Sequence, residues 1–128
     1  MKKTAIISAH APKPIGPYNQ AIVKGNHLFV SGQIAIDPKT NQLNIPDNIT
    51  DESQLVLSNL KALVEEAGFS LDDVVKCSIF MKNLNQFDEV NAVYARFFQD
   101  IPPARECVEV SKLPKNVNVE ISCIAIKS

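Results

Sequence analysis

The chain has 128 residues, 45% of them hydrophobic and 21% charged, which is ample for one packed core and far from a disordered composition. Thirteen Lys and Arg against fourteen Asp and Glu leave a net charge of -1, which argues against nucleic-acid binding driven by a global basic field. No apolar run exceeds four residues, Cys123 to Ile126 being one, so no membrane-spanning helix is expected.

Met1-Lys2-Lys3 imitates the start of an export signal, but Ala5-Ile6-Ile7 ends at Ser8, short of the roughly 7–15 apolar residues such a signal needs. A cytoplasmic protein is expected. Three cysteines, an odd number, and two histidines, His10 and His27, offer neither a disulfide framework nor zinc-knuckle spacing, so no metal is expected. No linker, repeat or low-complexity stretch divides residues 1–128, which read as a single domain.

Residues 20–33 predict a hairpin in which Gly25-Asn26 forms the two-residue loop, so that Lys24 opposes His27, Ile22 opposes Phe29 and Gln20 opposes Ser31. Residues 51–67 predict a first helix, with Thr50 as N-cap, Gly68 at the C′ position and an apolar stripe of Val56, Leu60, Leu63, Val64 and Ala67. Residues 73–81 read as a strand. Asn85 then caps a second helix over 86–98, whose apolar arc carries Phe87, Val90, Tyr94, Phe97 and Phe98; Asn91 falls beside that arc and is expected to be at least partly buried and to find partners.

Residues 105–110 and 117–126 predict two more strands. If Val110 and Val117 pair across the intervening loop, Cys107 faces Glu120 and Arg105 faces Ser122. Arg105, Cys107, Glu109, Glu120 and Ser122 then share an outer face, with Glu106 a misfit among the apolar residues. The order β, β, α, β, α, β, β covers one sheet face with two helices and leaves the other open, which implies an oligomer.

Arg105 and Glu120 are the pair best suited to chemistry: a guanidinium can grip a carboxylate bidentately, and a glutamate can orient or deprotonate water. The competing reading is a plain cross-strand salt bridge. Cys107 is either a thiol nucleophile beside Arg105 or a small buried hydrophobe. Tyr18 either plugs a gap between subunits or donates to a ligand, and Ser31-Gly32 either admits a ligand to the backbone or forms a bulge. No Ser-His-Asp grouping, Gly-rich phosphate loop or HExxH motif is present.

One set of motifs runs across nearly the whole chain. It comprises Ile15-Gly16-Pro17-Tyr18, Ser31-Gly32-Gln33-Ile34, Asn59-Leu60-Lys61-Ala62 and Phe80-Met81-Lys82-Asn83-Leu84, followed by Val90-Asn91, Pro103-Ala104-Arg105, Val108-Glu109-Val110 and Val119-Glu120-Ile121. In this order and spacing the sequence resembles the reactive-intermediate deaminase family (RidA, YjgF or Rid family). The resemblance implies an α+β, chorismate-mutase-like fold: a mixed β-sheet with two helices on one face, trimeric around a central barrel, with clefts between subunits.

It further implies hydrolysis of reactive enamines and imines, such as 2-aminoacrylate and 2-iminopropionate, to 2-keto acids and ammonia, downstream of pyridoxal-phosphate enzymes and without a cofactor. By position, Arg105 would bind the substrate carboxylate, and Glu120 would position water with the Cys107 backbone carbonyl. Tyr18, Ser31, Gly32 and Asn91 would line the cleft. Ser122 stands where many such deaminases carry a second Glu, and the stretch 99–102 is short, so substrate preference and the cleft rim are expected to differ. The rival functions are a non-catalytic binder of small 2-keto acids with a regulatory role, and an endoribonuclease or translation inhibitor.

Overall fold

A computed structural model describes residues 2–128. Eight strands and two helices follow one another as β1 (Thr4–Ile6), β2 (Ala21–Lys24), β3 (His27–Gln33), β4 (Ile36–Asp37), β5 (Gln42–Leu43), α1 (Ile49–Glu66), β6 (Val74–Met81), α2 (Phe87–Phe97), β7 (Ala104–Glu109) and β8 (Val119–Ile126). Six of the strands form one mixed sheet in the order β1-β2-β3-β8-β6-β7. Within it β6 and β7 run parallel, joined by the α2 crossover, and the other neighbours are antiparallel. The β4–β5 pair is separate.

The hairpin has the expected register: Lys24 pairs with His27 and Ile22 with Phe29, while Ser31 N–H donates to the Gln20 carbonyl at 3.0 Å. Gly25 takes φ 63° at its tip, a value open to glycine at no steric cost.

Both helices start differently from their sequence expectation. Asn48, not Thr50, caps α1: its Oδ1 accepts from Asp51 N–H at 2.8 Å, so the helix begins at Ile49. Before α2 the chain makes a 3₁₀ turn over Leu84–Gln86, with Asn83 accepting from Asn85 N–H at 3.0 Å, so Asn85 is not the cap.

The core lies between the helices and one sheet face. Val56, Leu57, Leu60, Leu63 and Val64 of α1 and Val90, Val93 and Tyr94 of α2 join the alternate strand residues Leu28, Val30, Cys77, Ile79, Ile121 and Cys123 in a single buried cluster. Every second residue thus points to the helices, as the period of two demands. The opposite face carries Ile22, Phe29, Ile124, Lys76, Ser78, Phe80, Glu120 and Ser122, and no element of the chain covers it.

The pairing expected between the last two strands is overturned. β6 inserts between β7 and β8: Cys107 pairs with Ile79, which pairs with Ile121, and Arg105 pairs with Cys77, which pairs with Cys123. Directly paired residues share a face, so Arg105, Cys107 and Glu109 point to the helix side, and Glu120 and Ser122 to the open side. Glu106 is no misfit. It belongs to the open face, where it pairs with Lys76 at 2.8 Å and accepts from Ser78 Oγ. These contacts, with Lys76 first, hold its carboxyl below the ordinary value.

One buried polar tie sets the start of β8. Glu52, fully buried in the first turn of α1, accepts from Asn118 N–H at 2.8 Å and from Asn118 Nδ2 at 2.7 Å. Glu52→Ala would leave these donors unpaired and lower unfolding stability by about 2–3 kcal/mol, the range for charge-assisted hydrogen bonds, as measured by urea titration. A loss under about 0.5 kcal/mol would show the tie to be dispensable.

Among the described residues no helix is long and apolar enough to cross a membrane, and no group of three His, Cys, Asp or Glu is placed to hold a metal.

Candidate active site

The predicted site residues fall into two groups, one on each side of the sheet. The first sits where β3 meets β8. The β3–β8 ladder shifts register between Val30 and Gln33, which makes Ser31-Gly32 a bulge. A side chain at Gly32 could not fit with Glu120 where it lies: its Cβ would lie 2.8 Å from Glu120 Cδ and closer still to Oε2, so the carboxylate would have to move. The missing side chain is what lets the Glu120 carboxylate lie over the backbone of the bulge.

Glu120 is half-buried and is not ion-paired with any Lys or Arg among the described residues. Burial pushes its carboxyl above the ordinary glutamate value. Ser31 does not point its hydroxyl at a ligand; Oγ donates to the Asn19 carbonyl at 2.6 Å and so pins the loop after Tyr18.

Tyr18 stands at the mouth of the same concavity, 45% exposed, in a pocket that Gly32, Gln33, Glu120 and Pro114 also line. Its hydroxyl oxygen accepts from Ile15 N–H at 3.2 Å, which leaves its own proton free to donate. Two amides that the sequence reading did not single out as site residues hold this pocket. Buried Gln20 accepts from Ser8 N–H at 2.8 Å and donates to the carbonyls of Ser8, Ala11 and Pro12, which fastens the segment leading to Tyr18. Buried Asn59 of α1 donates to the Ile36 carbonyl at 3.0 Å and fixes the chain just after the bulge. The signal for both was visible: a polar amide inside an apolar pattern must find partners.

The second group lies at the far edge of the sheet. Arg105, on edge strand β7, donates from Nη1 to Asn91 Oδ1 of α2 at 2.7 Å. Its guanidinium carbon lies 4.8 Å from the Tyr94 ring centroid and 5.4 Å from that of Phe87. With Ala95, Phe98, Pro102 and Pro103, the pair Arg105–Asn91 lines a shallow groove between α2 and the start of β7. Asn91 finds its expected partner in Arg105 but is exposed, because it sits on the rim of that groove and not under it.

Cys107 lies two residues along the same strand, its Sγ 3.5 Å from Met81 Sδ. Burial raises its thiol above the ordinary value, outweighing the opposing pull of Arg105. A thiol held protonated against a thioether is a poor nucleophile. Cys77 opposite Arg105 is buried and pushed up to about 11, also by burial first.

The geometry therefore offers two half-sites: a carboxylate with a phenol over a bulge, and an arginine fork at an edge. The family model described as Endoribonuclease L-PSP matches residues 8–127, and the chain belongs to that family, the Rid (YjgF/RutC) family. A RutC family protein of Pyrococcus horikoshii is 51% identical over 125 residues, covering 98% of each chain. The 2-iminobutanoate/2-iminopropanoate deaminase of Escherichia coli K12 is 45% identical over 130 residues, covering 99% of each. The solved structure of E. coli TdcF with bound serine superposes with a TM-score of 0.92 at 41% identity, over 98% of this chain and 99% of that one.

Proposed function

We propose that the protein is a cytoplasmic imine deaminase, a homotrimer in which the two half-sites meet across subunit interfaces and hydrolyse 2-imino acids to 2-keto acids and ammonia. The observation that carries this reading is Glu120: a half-buried carboxylate, raised by burial and seated on a bulge that only glycine permits. A protein that merely bound small carboxylates would gain nothing from a second negative charge in its cleft. The deaminase named among its relatives adds support, as does the serine bound to TdcF, an amino acid of the size the cleft would take.

In this mechanism Arg105, steadied by Asn91, clamps the substrate carboxylate with the donors it has left. Water adds to the C=N carbon, already electrophilic, while Glu120 takes its proton; the raised carboxyl makes it a stronger base than an ordinary glutamate. The Cys107 carbonyl, on an edge strand, accepts the water's other hydrogen. As the carbinolamine collapses, Tyr18 protonates the departing nitrogen from its free O–H, the C–N bond breaks, and the carbinol O–H proton returns to the Tyr18 oxygen as C=O forms; Glu120 then gives its proton to the released ammonia, which leaves as ammonium. The trapped substrate supplies the reactivity, and the protein supplies position. Such imines are products of pyridoxal-phosphate dehydratases, whose reaction would precede this one. An RNA-directed role is less well supported, since a net charge of -1 offers no basic field for a phosphate backbone.

The test generates iminopropionate with such a dehydratase and follows semicarbazide-trapped imine with and without the protein. Faster disappearance is expected; an unchanged rate contradicts the proposal. Gly32→Ala supplies a sharper check. Its Cβ displaces only the flexible end of Glu120, so thermal stability should change little, while activity falls about 10²-fold through misplacement of the carboxylate. Equal loss of folding and activity would count against that explanation.

A further inference from the structure

We infer that Phe87 and Tyr94 are positioning residues for Arg105: an aromatic cradle on α2 that orients the guanidinium plane, while Asn91 fixes its rotation. The inference rests on the proposed role of Arg105 as carboxylate clamp and extends it to the residues that hold Arg105. Phe87, Asn91 and Tyr94 lie at i, i+4 and i+7, so one face of α2 presents two rings and an amide together. The guanidinium lies over both rings, at 5.4 and 4.8 Å, and gives Asn91 a single hydrogen bond at 2.7 Å.

Stacking uses the π faces and none of the N–H donors. One of five donors is engaged, and the rest stay in a fixed plane for a carboxylate fork. A lysine or a freely rotating arginine could not be held this way.

A second observation points in the same direction. Tyr94 is only 5% exposed, and its ring packs on Phe98 with centroids 4.7 Å apart, so the face it turns to Arg105 is held in place by the core. The polar neighbour of its hydroxyl is the Cys77 thiol, and burial pushes both groups above their ordinary values. The hydroxyl takes no part in the cradle, which needs only the ring face turned to Arg105.

Free Arg105 would lose this orientation in Tyr94→Leu and Phe87→Leu and keep it in Tyr94→Phe. The chain's arginines are Arg96 and Arg105, so the Nε–H signals of ¹⁵N-labelled full-length protein are readily assigned. In the free protein the Arg105 Nε–H should be shifted by ring currents. Both leucine variants should move it toward the random-coil position, and Tyr94→Phe should leave it in place. In the imine assay the leucine variants should raise KM about threefold to tenfold, with kcat changed less than about twofold, and Tyr94→Phe should restore the wild-type KM. A random-coil Arg105 signal in the wild type, an unmoved signal in the leucine variants, or KM unchanged beside altered kcat would overturn the cradle. Should the protein prove to lack deaminase activity, the Arg105 signal alone decides: the cradle stands if the leucine variants move it and falls if they do not.

Discussion

Arg105→Ala should abolish most imine hydrolysis, lowering kcat/KM about 10²–10³-fold in the semicarbazide assay, while the protein stays folded. The size follows from losing a charge-assisted, bidentate grip on the one charged group of a small substrate, which is also the group that aligns the C=N carbon with the water. Folding should survive because Arg105 sits half-exposed on an edge strand and satisfies only the exposed Asn91. Arg105→Lys should recover only part of the activity, since an ammonium restores charge without the planar fork and cannot lie flat on Phe87 and Tyr94. Full activity in Arg105→Ala would remove the clamp from the mechanism.

Glu120→Gln should lower kcat about 10²–10⁴-fold with little change in KM, as expected when a general base is replaced by its neutral isostere. Two pH effects follow from burial. The working form is the carboxylate, so the wild-type rate should fall as pH drops through a pKa above that of ordinary glutamate, and the Gln variant should lack that limb. Stability should move the other way. A carboxyl whose folded pKa is raised is most favourable when protonated, and that contribution is lost as pH rises through the folded pKa. Thermal unfolding should therefore show Glu120→Gln more stable than wild type at pH 7, with the gap closing below the ordinary glutamate pKa. Greater stability of the wild type at pH 7 would contradict a carboxyl raised by burial.

The sequence made some of this structure legible and hid the rest for physical reasons. The hairpin register was readable because a two-residue loop at Gly25-Asn26 fixes pairing locally. The helices were readable from the stripes of Leu60, Leu63 and Val64 and of Val90, Tyr94 and Phe98. Their starts were not, because Asn48 was a rival cap two residues before Thr50, and a 3₁₀ turn capped by Asn83 takes up the residues around Asn85 before α2 begins. The short β1 was hidden in Thr4–Ile6, three residues that fill neither a strand nor a signal pattern.

The pairing of the last strands was the larger failure. β7 and β8 are adjacent in sequence but separated in space by β6, and no local signal announces a strand inserted from 30 residues earlier. Val108 and Val110 also misled, because the open face is itself partly apolar, with Phe29 and Val108 over 40% exposed. The motif order carried the family, while the division of Arg105 and Glu120 between two faces came only from the three-dimensional structure.

That division makes the claim of a shared cleft directly testable. Arg105→Ala and Glu120→Gln proteins, each inactive alone, can be unfolded together in equal amounts and refolded. If each cleft takes Arg105 from one protomer and Glu120 from the next, three quarters of random trimers are mixed and each has one intact cleft of three. Activity should return to about a quarter of the wild-type level. No recovery above the two separate variants, in a mixture shown by native mass spectrometry to contain mixed trimers, would place Arg105 and Glu120 of one protomer in the same cleft and contradict the split site. A monomer mass in that spectrum would contradict it as well.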